Sequence, residues 1–152
     1  MEKESELFVS YDQALALKEL GYDEPCLAAY INKTLKGCGA ILLDVDGYYI
    51  NSNNETNYLV AAPLKQQVFK WFDDNTFTSK EGKPFQLRGI ILHKETGYFG
   101  YEIRIWEFDN NIGKWKREMC LKSEQFRTDM ESYCIDKLIE ILKEKKKEDG
   151  KS

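Results

Sequence analysis

Few side chains in this sequence are of the types that carry out chemistry. His93 is the only histidine, which excludes a metal site built on a pair of histidines. The four cysteines, Cys26, Cys38, Cys120 and Cys134, are widely spaced and form no Cys-x-x-Cys pair, so a mixed Cys–His site would need distant residues to converge. We therefore interpret the cysteines as reduced, mostly buried thiols, and we expect neither a metal nor a cofactor.

The segment that most resembles part of an enzyme is residues 41–47, with the sequence ILLDVDG. An apolar run followed by Asp-x-Asp-Gly resembles the first motif of the haloacid-dehalogenase-type phosphatases. That resemblance implies Asp44 as the nucleophile that attacks phosphorus and Asp46 as the group that handles the leaving group's proton. Tyr48 stands where those enzymes have threonine. An Asp-Gly turn explains the same residues, and we favour it over a phosphohydrolase.

A second set of candidates lies on two predicted antiparallel strands. The alternation along the second strand puts Arg104 and Trp106 on the face opposite its apolar residues. A tryptophan on the wet side of a sheet is either covered by another element or marks an interface, and both alternatives stay open. His93 and Lys94 lie at the end of the first strand. These four are the candidate binding residues, and no residue is a candidate for catalysis.

Three helices are predicted from caps and from the spacing of apolar residues. A Ser-x-x-Gln capping box at residues 10–13 begins the first helix, and Gly21 ends it. The second helix covers 63–75, with a proline at its first position and apolar residues at i, i+4, i+7 and i+8. The third covers 123–143, where apolar residues recur every four positions.

The strands are predicted from apolar and polar residues in alternation. Residues 40–51 predict a hairpin that turns at Asp46-Gly47. Residues 87–108 predict the central hairpin, with its turn near residues 95–97, and residues 114–122 predict a further strand. Residues 26–35 fit either a strand or a short helix, and we favour the strand.

Together these elements predict an α+β fold with the order α-β-β-α-β-β-β-α. One antiparallel sheet is covered by the helices at 63–75 and 123–143, and the N-terminal helix and first hairpin flank the same core. A chain of 152 residues fits a single domain, which we place at 1–143. Residues 144–152 are charged and without apolar periodicity, so we predict a disordered tail.

Charge and hydropathy limit the classes of partner. Residues 1–61 hold four lysines and ten acidic residues, a net charge of −6, so nucleic acid is not an expected partner. No run approaches the roughly 20 apolar residues that cross a bilayer, and the charged N-terminus does not resemble a secretory signal. These features predict a cytoplasmic protein without a membrane partner.

One resemblance nevertheless points to RNA. The predicted order over 62–142, helix, three strands and helix, is similar to that of a double-stranded-RNA-binding domain. The resemblance implies a basic cluster at the start of the last helix, here Lys122 and Arg127, and a second contact at His93-Lys94. Acidic residues stand beside Lys122 and Arg127, so most of the family's phosphate-binding basic residues are missing. RNA binding is kept as an alternative.

A broader resemblance covers three blocks of the chain. They are VSYDQALALKELGYDEPC at 9–26, APLKQQVFKWF at 62–72 and CIDKLIEILK at 134–143. These blocks resemble a family of small proteins from phages and prophages of gut Bacteroides-type bacteria, which has no assigned function. The resemblance implies a phage- or prophage-encoded accessory protein in the cytoplasm of its bacterial host. We predict a non-enzymatic interaction module for a host protein or a small ligand, with RNA binding and an Asp44/Asp46 phosphohydrolase as alternatives.

Overall fold

The computed structural model describes residues 7–24, 26–36, 59–93, 99–109, 111–125 and 130–146. Within these ranges lie three helices and two antiparallel sheets, which confirms the α+β class and the predicted order of elements. The predicted hairpin at 40–51, with Asp44 and Asp46, lies outside the described residues. The helices are α1 (Tyr11–Glu19), α2 (Lys65–Asp74) and α3 (Met130–Lys146). The strands are β1 (Ala28–Ile31), β2 (Thr34–Lys36), β3 (Leu59–Ala62), β4 (Phe77–Thr78), β5 (Pro84–His93), β6 (Phe99–Asp109) and β7 (Lys114–Gln125).

The chain divides into two compact units, Met1–Val68 and Phe69–Ser152. We describe each unit by itself. A single domain over residues 1–143 stays a prediction.

In the first unit, helix α1 begins and ends where its sequence signals predicted. The Ser10 hydroxyl accepts a hydrogen bond from the backbone N–H of Gln13 (3.2 Å), and the Gln13 side chain accepts one from the Ser10 N–H (3.0 Å). This reciprocal pair satisfies two donors that the first turn leaves open. Gly21 follows the helix at φ +95°, and the Tyr22 N–H donates to the Leu17 carbonyl (2.8 Å). A left-handed glycine with that bond is a Schellman ending.

Helix α1 packs beside a three-stranded antiparallel sheet of order β2-β1-β3. Strands β1 and β2 form a hairpin in which Ile31 pairs with Thr34, so residues 26–35 contain strand and not helix. Asn32 and Lys33 form the two-residue turn, at φ 52° and 65°. Positive φ at both central positions is the type I′ pattern, whose twist matches that of the flanking strands. Strand β3, which the sequence analysis did not predict, pairs with β1 on its other side.

The second unit is built on a four-stranded antiparallel meander of order β4-β5-β6-β7. Strands β5 and β6 are the predicted central hairpin, and Ile103 and Ile105 of β6 are buried as the alternation predicted. Helix α3 covers β5 and β6. Gly89 of β5 lies under this helix, where a Cβ atom would come within 2.9 Å of Cys134 Sγ and Leu138 Cδ1. The absence of a side chain at residue 89 therefore allows the helix to approach the sheet closely.

An aromatic cluster fills one end of the second unit. The rings of Trp71 and Phe72 from α2 meet Phe77 of β4 at centroid distances of 5.3 and 5.9 Å, and Phe77 meets Phe85 of β5 at 5.7 Å. The Lys145 ammonium lies 5.1 Å from the centroid of the Phe85 ring. Centroid separations in this range are typical of favourable aromatic pairs, so the cluster joins α2, β4, β5 and the end of α3.

Two predicted boundaries at the C-terminal end of the chain are corrected. Helix α3 begins at Met130 and not at residue 123, because Ser123 belongs to β7, where it pairs with Tyr101 of β6. Helix α3 also continues to Lys146, so residues 144–146 are helical and not disordered. The reason is tertiary: the Lys145 ammonium pairs with the Glu107 carboxylate of β6 at 2.9 Å.

Candidate functional site

The candidate site is an open groove of about 500 Å³ in the first unit. One wall is helix α1, which contributes Tyr11, Leu15, Lys18 and Glu19. These positions are spaced i, i+4, i+7 and i+8, the spacing of a single helix face. The core of the unit uses other faces of α1, where Ala14 and Leu17 are fully buried. We name this cavity the tyrosine groove.

The other wall of the tyrosine groove comes from the sheet. Tyr30 of β1, Asn32 and Lys33 of the following turn, and Val60 of β3 line it. Both turn residues are exposed, whereas Val60 is buried. The left-handed turn therefore presents an amide and an ammonium at the edge of a groove whose floor is apolar.

Three contacts hold the two walls in place. The Tyr30 hydroxyl donates a hydrogen bond to the Val9 carbonyl (2.8 Å), just before the helix N-cap. The rings of Tyr11 and Tyr30 meet edge to face, with centroids 5.5 Å apart and planes at 79°. The Lys33 ammonium lies 5.9 Å from the centroid of the Tyr11 ring. These contacts orient the aromatic surfaces before any ligand arrives.

The ionisation of Tyr30 is shifted by its position in this wall. Burial raises the pKa of its phenol. The hydroxyl therefore stays protonated and keeps donating to Val9 at ordinary pH.

The predicted binding residues lie in the second unit and do not line the tyrosine groove. Arg104 and Trp106 are neighbours on β6, both partly exposed, whereas His93 pairs with Phe99 at the far end of the hairpin. Phe99 and Arg104 are five positions apart along β6, which corresponds to a distance of about 17 Å. The structure thus brings Arg104 and Trp106 together but keeps His93 apart from them. Lys94 lies outside the described residues, and a binding role for all four stays a prediction.

Arg104 is engaged by its own strand. Its guanidinium forms an ion pair with the buried Glu102 carboxylate at 3.1 Å, and its Nε is buried without a hydrogen-bond partner in the part of the chain that the structure describes. Glu102 is only 6% exposed, so the face of the sheet that was expected to be wet is partly covered at this position. The adjacent strand places Arg88 directly opposite Arg104, and Arg88 pairs with Asp73 at 3.3 Å.

Two cysteines in the described residues are buried, as expected for structural thiols. Cys26 and Cys134 are 1% and 0% exposed. Burial raises the pKa of each thiol to about 12. A reactive thiol has a lowered pKa, so neither group is poised as a nucleophile.

We expect the two buried thiols to make the fold sensitive to alkali. In the unfolded chain they ionise near pH 9, whereas in the fold they stay protonated up to about pH 12. Because the folded state then holds protons that the unfolded state has lost, its stability is complete below pH 9 and falls as the pH rises from 9 to 12. Urea unfolding at pH 7, 9 and 10.5 should show this fall.

The matched control for this pH dependence is Cys134→Ala, which removes one of the two thiols. Its urea midpoint should fall less steeply with pH above 9 than that of the natural sequence. Equal slopes for the two proteins would show that Cys134 does not contribute.

Other candidate sites are not supported within the described ranges. No group of three or more His, Cys, Asp or Glu side chains there could hold a metal ion. No helix among the described residues is both long and apolar enough to cross a membrane. Cys38, Asp44 and Asp46 lie outside these ranges.

Sequence reasoning missed the tyrosine groove because its two walls come from segments that were interpreted separately. One usable signal was present: Tyr11, Leu15 and Lys18 continue a helical spacing on a face of α1 that the buried Ala14 and Leu17 do not occupy. The second wall depended on the conformation of residues 26–35, which the sequence left ambiguous. Comparisons with known proteins add no information on the site, since no protein-family model, curated protein or solved structure matches the chain.

Proposed function

We propose that this protein is a non-enzymatic interaction module and that it binds a small molecule in the tyrosine groove. The observation that carries the proposal is the groove itself. Its volume of about 500 Å³ falls in the range of roughly 300–1,000 Å³ that is typical of small-molecule sites. Its lining combines aromatic and aliphatic surface with a few polar groups, which is also typical of such sites.

The preorganised walls support this proposal. Tyr30 is fixed by its hydrogen bond to Val9, and Tyr11 is fixed against Tyr30. A ligand that packs against rings already in place costs the protein less conformational entropy on binding. A small ligand is favoured over a host protein because the polar and apolar groups converge in a concave site.

The absence of enzymatic activity is proposed from the ionisable groups that the described residues contain. Tyr22, Cys26 and Cys134 are buried and Tyr30 is half-buried, and burial raises the pKa of each. These four groups therefore stay protonated, and none of the four is activated as a nucleophile or general base. A phosphohydrolase would depend on Asp44 and Asp46, and an Asp44→Asn variant without phosphatase loss would argue against it.

The positions of β7 and α3 give an RNA-binding role less support than the small-ligand proposal has. Lys122 lies in β7, and the first turn of α3 contains Glu131. A carboxylate in that turn opposes the phosphate contact that the double-stranded-RNA-binding family makes there. The resemblance of three sequence blocks to phage proteins supports a phage-type accessory role in a bacterial cytoplasm, which we include in the proposal.

A fragment screen followed by ¹H–¹⁵N NMR tests the small-ligand proposal. We expect fragments that bind to shift the amide signals of Tyr11, Leu15, Lys33 and Val60 together. The Tyr11→Ala variant, which removes the ring against Tyr30, should lose those shifts. Tyr133→Ala, which changes a half-buried tyrosine of α3, is the matched control and should retain them.

Two outcomes would contradict the proposal. Shifts confined to Arg104 and Trp106 would transfer the site to β6, where the sequence analysis predicted it. A screen in which no fragment shifts any groove amide, while a single host protein copurifies in equal amount, would replace the small ligand with a protein partner.

A further inference from the structure

Resting on the proposed function, we infer that the ligand of the tyrosine groove is a small aromatic acid, with a flat apolar body and one carboxylate. The charges, the hydrogen-bond donors and the ring surfaces of the groove together fit this class of ligand.

The turn residues Asn32 and Lys33 form one end of the groove, and this end carries positive charge. The Lys33 ammonium is exposed and forms no ion pair in the part of the chain that the structure describes. It lies over Tyr11, the first residue of α1, and the N-terminus of a helix carries partial positive charge. The capping box and Asp12 already offset that partial charge, so the Lys33 ammonium is the main positive group at this end of the groove. An anion beside Lys33 would be favoured by this ammonium.

An acidic residue also lines the groove. Glu19 is the last residue of α1, eight residues after Tyr11, which is about 12 Å along the helix axis. Lys18 lies beside it in the same last turn. Glu19 is thus far from Lys33 and has a cation for a neighbour, so it would repel a carboxylate at the turn end only weakly.

Hydrogen-bond donors lie at the turn end of the groove. Near Lys33 the groove also offers the Asn32 amide and the Tyr11 hydroxyl, both of which can donate. The Tyr30 hydroxyl is already used, because it donates to Val9. The Lys33 ammonium can only donate, and the amide and the hydroxyl can donate beside it, so a ligand group that accepts several hydrogen bonds is complementary to this end. A carboxylate has that property.

The apolar part of the groove determines the body of the ligand. Leu15, Val60 and the rings of Tyr11 and Tyr30 supply this apolar lining. Aromatic rings fixed edge to face leave a surface on which another flat ring can stack or meet an edge. An aromatic body fits this lining better than a flexible chain, which would lose more rotational freedom on binding.

Three probes with one ring system and different charge test the inference by calorimetry: indole-3-acetate, its neutral amide indole-3-acetamide, and the cation tryptamine. We expect the acetate to bind about fivefold more tightly than the amide, and tryptamine to bind most weakly. The preference for the acetate should decrease as the salt concentration rises from 20 to 500 mM, because the Lys33 ammonium is exposed.

Variants of residue 33 separate charge from structure. Lys33→Asn removes the ammonium but suits the left-handed backbone at φ 65°. It should remove the preference, so that the variant binds the acetate and the amide with equal affinity. Lys33→Arg should retain the preference. Lys143→Gln, a change of an exposed lysine on α3, is the matched control and should alter neither affinity.

Each outcome decides the question. Equal affinity for the acetate and the amide, or tighter binding of tryptamine, would overturn the inference while the small-molecule proposal stands. If none of the three probes binds but other fragments shift the groove amides, the aromatic-acid class is wrong and the site is right. If no probe and no fragment reaches the groove, both proposals fail.

Discussion

The Gly89→Ala variant should be less stable than the natural sequence by about 1–3 kcal/mol, even though the same change stabilises an ordinary strand. Replacing glycine by alanine normally removes a backbone-entropy penalty of about 0.5–1 kcal/mol. At residue 89 the added Cβ would lie 2.9 Å from each of three atoms, in Cys134, Leu138 and Phe69. Cys134 and Leu138 are fully buried, so little free space surrounds them. Either helix α3 must move away from β5, or one of the contacting side chains must change its rotamer.

Urea unfolding measures this loss. The exposed neighbour Arg88 provides the control, because Arg88→Ala removes only an exposed ion pair to Asp73, worth less than about 1 kcal/mol. The double variant Gly89→Ala/Cys134→Ala should be more stable than the sum of the single changes predicts, since the second change creates room for the first. A Gly89→Ala protein as stable as the natural one would show that α3 does not approach β5 as closely as described.

The Phe85→Ala variant should lose about 3–5 kcal/mol, the largest effect that we expect from a single substitution. Phe85 is 0% exposed, and its ring joins the aromatic cluster through Phe77 and lies under the Lys145 ammonium. Its truncation therefore leaves a cavity and removes a ring contact from both β4 and α3. A domain is typically stable by about 5–15 kcal/mol, so this loss is a large fraction of the total.

Thermal unfolding followed by near-ultraviolet circular dichroism measures the effect on the aromatic cluster. Phe108→Ala is the matched control, because Phe108 is half-buried and its ring meets Trp115 at 5.5 Å and not the aromatic cluster. This control should lose clearly less stability than Phe85→Ala. Phe85→Leu keeps most of the apolar volume but loses the ring under Lys145, so its loss of stability should lie between those of Phe108→Ala and Phe85→Ala. A Phe85→Ala loss no greater than that of Phe108→Ala would contradict the described burial.

Much of the fold could be predicted because local signals and tertiary packing agree. The capping box at Ser10, the ending at Gly21 and the alternation along β6 each act within a few residues, and the structure follows them. The start of α3 was mispredicted because helical spacing of apolar residues from 126 onward suggested that Ser123 was a cap. Ser123 instead belongs to β7, because it pairs with β6. This pairing joins residues that are distant in the sequence, so no local pattern predicts it.

The candidate site was harder to predict than the fold for a related reason. Tyr11 and Lys33 lie twenty-two positions apart in the sequence. Only the pairing of β1 with its neighbouring strands places the Lys33 ammonium 5.9 Å from the centroid of the Tyr11 ring. Neither residue type is unusual alone. Trp106 departs from an alternating pattern, as a large apolar residue on the polar face of β6, whereas the groove residues depart from none.

The order in which strands pair has a consequence for how the protein folds. In the second unit each strand from β4 to β7 pairs with the next along the chain, so its contacts are local in sequence. In the first unit β1 pairs with β3, and the residues that pair, such as Ile31 and Leu59, are far apart in the sequence. Bringing distant residues together costs conformational entropy before the pairing gains any contact energy. We therefore expect the meander to form early during refolding, and the sheet that carries the tyrosine groove to form last.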